Sequence, residues 1–137
     1  MIGGEAHFDE FIDAHRWAVI TTLRSDGSAS NSVVAYARDG DTLVVSTPGH
    51  TLKRRTLETD PRVTLTIISN HEPFNFVSVE GHAVVQTQNL SEPTRRVFEN
   101  IESVGYTMPE DLDAWLAKDD RVILRITPLR VSGVIRA

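Results

Sequence analysis

Cysteine is absent from the 137-residue chain, and lysine nearly so: of 14 basic residues only Lys53 and Lys118 are not arginine. Without cysteine there are no disulfides, zinc fingers, iron–sulfur clusters or thiol nucleophiles. A positive balance is missing as well. The formal net charge of −5 argues against general affinity for nucleic acid, so no such partner is expected. No uninterrupted apolar run reaches the roughly 20 residues that span a bilayer. The opening Met1-Ile2-Gly3-Gly4-Glu5 has no basic segment followed by an apolar stretch, so no signal peptide is expected. The expectation is a soluble, cytoplasmic protein with no membrane partner.

Familiar catalytic signatures are missing too. The sequence has no G-x-S-x-G elbow, no Walker phosphate loop and no G-x-G-x-x-G turn. His7, His15, His50, His71 and His82 show no HExxH or comparable spacing, so no metal site is expected. Acidic pairs such as Asp119-Asp120 fall in turns, where solvation explains them.

What is present reads as a single domain, 1–137, long enough to bury roughly two thirds of its unfolded surface. Apolar residues at Phe8, Phe11 and Ile12 predict a short amphipathic helix. Trp17 to Leu23 and Ala29 to Arg38 read as strands joined by a turn at Asp26-Gly27, a strong hairpin signal. Asp39-Gly40-Asp41 leads to a third strand, Thr42 to Thr47. His50 to Thr59 predicts a helix stopped by Asp60-Pro61. Val63, Leu65 and Ile67 alternate with threonines in a half-buried strand. A long strand, Phe74 to Gln88, follows, with Gly81 as a bulge. Helices from Ser91 to about Val104 and from Pro109 to Ala117 precede a last strand, Arg121 to Ile135, interrupted at Pro128. About six mostly antiparallel strands, with one helix crossing after the third, describe a small barrel.

The stretch Ser46-Thr47-Pro48-Gly49-His50-Thr51-Leu52-Lys53-Arg54-Arg55 is the most informative. Thr51 stands where a helix is capped, with Lys53, Arg54 and Arg55 in the first turn. Cations there oppose the helix dipole, and Glu58 and Asp60 oppose it at the other end. A bound phosphate or carboxylate would relieve the conflict; an exposed basic turn is the equal alternative. In the strand Asn31 to Tyr36 alternate residues face opposite ways, leaving one small, mixed-polar face that suits a planar ring, though an ordinary half-buried strand reads the same way. Phe74 and Phe76 share a strand face and suit either an aromatic cover or plain packing, as do Trp17 and Trp115. No acid–base pair stands out; Tyr36, a histidine and water are the candidate proton sources.

The ordered set resembles a known superfamily. It comprises Trp-Ala-Val-Ile-Thr-Thr-Leu-Arg-Ser-Asp-Gly (17–27), Asn-Ser-Val-Val-Ala-Tyr (31–36), Thr-Leu-Val-Val-Ser-Thr (42–47) and Lys53-Arg54-Arg55-Thr56-Leu57. Asp60-Pro61-Arg62-Val63, Val79-Glu80-Gly81-His82-Ala83 and the closing stretch from Arg121-Val122 to Val131-Ser132-Gly133 complete it. Over nearly its whole length the chain resembles the pyridoxamine-5′-phosphate-oxidase-like, FMN-binding split β-barrels, and within them the actinobacterial deazaflavin-dependent oxidoreductases. The resemblance implies a mainly β chain with flanking helices, a six-stranded antiparallel split β-barrel that forms a homodimer with cofactor sites along the interface. It implies that Thr51, Lys53, Arg54 and Arg55 bind the cofactor phosphate and that Ser32, Val34, Ser46 and Thr47 line the ring. Phe74 would reach the ring from the partner subunit. Thr51 stands where some relatives carry a second basic residue, which shifts weight to Arg54 or Arg55. The implied activity is hydride transfer from reduced coenzyme F420 to a small unsaturated or conjugated substrate. FMN in the same fold, and a non-catalytic flavin- or haem-binding protein, are the alternatives.

Overall fold

The computed structural model describes residues 1–136. The chain runs α1 (Ala6–Ala14), β1 (Trp17–Leu23), β2 (Ala29–Ala35), β3 (Ala37–Asp39), β4 (Thr42–Thr47), α2 (Leu52–Thr59), β5 (Arg62–Ile68) and β6 (Phe76–Gln86). It continues through α3 (Ser91–Ile101), a 3₁₀ turn at Glu102–Val104, α4 (Leu112–Lys118) and β7 (Val122–Val134). The strands form one seven-stranded sheet in the order β2-β1-β5-β6-β7-β4-β3, and every pairing is antiparallel.

The sheet curls into a half-barrel around the apolar side chains that alternation turns inward. Ala18, Ile20, Leu43, Val45, Leu65, Ile67, Val77, Val79, Leu124 and Ile126 meet there. Phe11 and Ile12 of α1, and Leu57 of α2, join the same cluster. Outside the curl a second, smaller cluster forms where Val97 of α3 lies on Ala37, Val44 and Ile123.

The strand expected as second, Ala29 to Arg38, is two strands, which raises the count from six to seven. The break falls at Tyr36, whose side chain is 1 % exposed. Its hydroxyl donates to the Ile12 carbonyl at 2.6 Å, and its own carbonyl accepts from the Asn100 side-chain amide at 2.8 Å. Held from both sides, the chain turns there. Residues before Tyr36 pair with β1 and residues after it with β4, so one segment supplies both edges of the sheet.

The anticipated bulge at Gly81 is present. The register between β6 and β7 shifts between Glu80 and Gly81, with Glu80 opposite Arg130 and Gly81 opposite Pro128. Leu129 is the extra residue, and Pro128 is accommodated beside it without ending β7. No helix among the described residues is long and apolar enough to cross a membrane.

Candidate functional site

Strand β4 ends at Thr47, and the loop Pro48–Thr51 delivers the chain to α2. That loop is docked on the turn before β7. The Gly49 amide donates to the Asp119 carbonyl at 3.0 Å, and a β-carbon at Gly49 would collide with the Asp120 carbonyl, so only glycine allows this approach. Thr51 occupies the N-cap position, yet its side chain does not cap the helix. Its hydroxyl instead donates to the Pro48 carbonyl at 3.2 Å and lies 3.0 Å from the Thr47 hydroxyl. The first turn of α2 therefore keeps backbone N–H groups that no side chain satisfies.

Two half-buried cations flank this turn. Lys53 lies on it, and burial, reinforced by the neighbouring Arg121 charge, holds its pKa below the usual lysine value. Arg121 arrives from the far end of the chain: Thr47 pairs with Val122, which sets Arg121 against the loop that follows β4. Its Nε donates to the Ser46 hydroxyl at 3.3 Å, and its guanidinium carbon lies 4.1 Å from the centre of the Trp115 ring. Burial lowers the Arg121 pKa, with Asp119 acting against that shift. Among the described residues neither cation forms an ion pair with a carboxylate.

The other basic residues of the turn are engaged elsewhere. Arg54 pairs through Nε with Glu58 at 2.5 Å and donates to the Gly49 carbonyl at 3.0 Å. That pair neutralises the carboxylate at the unfavourable end of α2, and so relieves part of the conflict with the dipole without any ligand. Arg55 is exposed, and its side chain donates to the His50 carbonyl at 3.5 Å. Asp60, the second acid at that end, is held by Arg62 at 2.8 Å.

The ring-lining candidates are divided. Ser46 and Thr47 are neighbours on β4 and face opposite ways: Thr47 is buried on the inner side beside Thr51, while Ser46 meets Arg121. Ser32 lies half-buried on the inward face of edge strand β2, opposite Ile20. Val34, two residues on, is 7 % exposed and part of the core cluster. Phe74 is 49 % exposed and stands beyond the far end of β5, with Thr66, Ile68 and Phe76 around an open apolar hollow. Helix α2 meets the sheet near the other end, where the Thr56 hydroxyl donates to the Thr22 hydroxyl at 2.9 Å and Thr22 pairs with Val63. The five residues of β5 between those levels span roughly 16 Å. Within one protomer Phe74 and Lys53 do not meet. Tyr36, a candidate proton source, is sealed in the core, and burial pushes its hydroxyl pKa up.

Sequence reasoning gave Arg121 no place in the site and weighed Trp115 only as an aromatic cover or plain packing. Neither stands in a local motif with Lys53; only the pairing of β4 with β7 brings them together. Beside them runs an open groove of about 630 Å³, lined by Arg54 and Arg121 and by Gln88, Asn89, Ser91 and Asp113.

A family model described as pyridoxamine 5′-phosphate oxidase matches residues 5–135. The chain belongs to the pyridoxamine 5′-phosphate oxidase family. No protein of curated function matches it in sequence. Among solved structures it is similar to an F420 reductase, with 19 % identity, a TM-score of 0.74 and coverage of 93 % of this chain and 98 % of that one. A conserved hypothetical protein from Mycobacterium tuberculosis gives 22 % identity and a TM-score of 0.76 over 97 % of this chain and 85 % of that one. An FAD-binding protein from Mesorhizobium loti gives 18 % identity and a TM-score of 0.69 over 94 % and 93 %. At these identities the likeness is one of fold.

Proposed function

We propose that this protein is a flavin-type oxidoreductase, working as a homodimer, that uses reduced coenzyme F420 to deliver hydride to a small unsaturated or conjugated substrate. The observation that carries the reading is the first turn of α2, where uncapped N–H groups, the Thr51 hydroxyl and half-buried Lys53 lie together. That donor set suits a phosphate: it offers directed hydrogen bonds and a positive charge in a partly water-excluded place. Both FMN and coenzyme F420 carry such a group. When bound, the ring supplies the hydride chemistry, and the chain binds, orients and excludes water.

Thr51 and Lys53 anchor the phosphate end, and Ser32 on the inner face of β2 offers a hydroxyl to a planar ring. The uncovered outer face of the sheet supplies the dimer surface. Val33 is 71 % exposed there, and Ile68, Phe74 and Val134 are exposed as well. A second copy laid on that face brings its own Phe74 to the ring, a contact that one protomer cannot make. With Tyr36 sealed, the proton that follows hydride comes from water or a histidine near the substrate. FMN in the same site is the second reading, supported by the same phosphate-shaped donor set.

A parallel fluorescence titration with FMN and coenzyme F420 tests the proposal. Tight binding of F420 alone sustains it, preference for FMN selects the second reading, and binding of neither overturns both. Lys53→Ala is expected to weaken the preferred cofactor by about 1–3 kcal/mol without unfolding the protein. An unchanged dissociation constant removes Lys53 from the site.

A further inference from the structure

We propose that Arg121, laid on Trp115, is a second anion-binding side chain and grips the phosphate of a flavin-type ligand together with Lys53, from the β7 side of the α2 turn. The proposal rests on the cofactor reading above and adds the residue that gives the site its selectivity for a phosphorylated ligand.

Three features of the structure support it. The Arg121 guanidinium is half-buried and lies over the Trp115 ring, 4.1 Å from its centre, and Phe98 packs edge-on against the same ring at 5.2 Å between centroids. Stacking fixes the guanidinium plane and leaves its edge as the hydrogen-bonding surface. Only Nε has a partner among the described residues, the Ser46 hydroxyl at 3.3 Å. The terminal N–H groups remain, in the geometry that accepts a phosphate or carboxylate two bonds at a time.

The second feature is position. Thr47 pairs with Val122, and Gly49 is bonded to Asp119, so Arg121 is tied through backbone contacts to the loop that starts α2. The third is charge. The Arg121 charge bears on Lys53, both side chains are partly out of water, and among the described residues neither forms an ion pair. Asp119 and Asp120 are exposed and make no ion pair with either among the described residues. Two like charges placed this way oppose each other, and an anion between them reverses the sign of the interaction. Arg121 also lines the 630 Å³ groove, so a ligand anchored there has room to continue past the phosphate.

The test compares phosphorylated and phosphate-free ligands in a Trp17→Phe background, where Trp115 is the fluorescent reporter. FMN is set against riboflavin, and coenzyme F420 against its phosphate-free deazariboflavin core. Arg121→Gln is expected to weaken the phosphorylated member of the bound pair about 10- to 100-fold and to leave the phosphate-free member unchanged. Trp115→Leu, which removes the tryptophan reporter and is therefore read from the ligand's own flavin or deazaflavin fluorescence, is expected to reproduce a smaller part of that loss, and Arg130→Gln, a distant surface arginine, none. Equal weakening of both members, or no weakening of either, overturns the role of Arg121 while the cofactor reading stands. Failure of every flavin to bind overturns the cofactor reading. Inorganic pyrophosphate then decides on Arg121 alone: a fluorescence response abolished by Arg121→Gln sustains the anion site, and no response in the parent protein overturns it. Unfolding midpoints of the variants within a few degrees of the parent exclude a folding defect as the cause.

Discussion

The outer face of the sheet is finished in two different ways. Across β3, β4 and the first half of β7, helix α3 covers it, and Val44 and Ile123 are fully buried at 0 % exposure. Across β2, β1 and β5 the same alternation leaves outward residues such as Val19, Val33 and Thr66 with no helix above them. Val33, register-paired with Val19, is 71 % exposed. Residue types differ little between the two halves; what differs is whether the chain returns to cover them. Alternation reports which side chains leave the core, and says nothing of what lies on top.

The sharpest way to break this comparison is to truncate one residue on each half. Ile123→Ala is expected to cost about 2–5 kcal/mol, because the cavity it leaves between Val44 and Val97 cannot collapse. Val33→Ala should cost less than about 0.5 kcal/mol in the monomer. Denaturant unfolding of both variants at low protein concentration measures the difference, and equal losses would erase the distinction between the halves. Charge on the open half should act on assembly instead of folding. Val33→Asp, if the proposed dimer lies there, buries an unpaired carboxylate and should weaken association by about 3 kcal/mol. Sedimentation velocity would then show monomer where the parent shows dimer, with the unfolding midpoint of the monomer unchanged.

Ion pairs sharpen the contrast at a smaller scale. Arg125 emerges on the covered side and is 30 % exposed, bonded to Asp39 at 2.9 Å, to Thr42 at 2.9 Å and to Gln86 at 3.0 Å. Arg130 on the open side is 75 % exposed, although its pair with Glu80 is bidentate at 2.7 and 2.9 Å. Arg125→Ala is expected to cost about 1–2 kcal/mol and Arg130→Ala to leave the unfolding midpoint almost unchanged, both read from denaturant curves. The smallest effect is expected at Asp60, whose carboxyl the hydrogen bonds of Arg62 hold at about 2, below its ordinary 3.8. Its contribution is full above pH 3.8 and is lost as pH falls towards 2. Asp60→Asn should therefore melt slightly below the parent at pH 7 and together with it near pH 2, by thermal scans at both values.

Much of the fold was legible. Val63, Leu65 and Ile67 announced β5, Asp26-Gly27 the hairpin of β1 and β2, and Gly81 the bulge between β6 and β7, because each signal is local. The corner at Tyr36 was not, since alternation runs unbroken through it and the bonds that bend the chain come from Ile12 and Asn100. Around the candidate site, the placement of Lys53 in the first turn of α2 was legible. The pairing of Arg54 with Glu58 fits a spacing of four, yet the sequence does not say that it forms. The approach of Arg121 was not legible, because a residue 68 positions from Lys53 reaches that turn only once β4 has found β7.

That pairing also sets when the site can exist. The loop carrying Gly49 and Thr51 rests on the turn at Asp119 and Asp120, which is synthesised about 70 residues after it. A chain still emerging from the ribosome has its first strands, its Lys53 and its exposed edge, but nothing against which to set the α2 turn. On the proposed function, a bound cofactor stabilises only chains in which β7 has already joined β4, and has no hold on those that stall before that pairing.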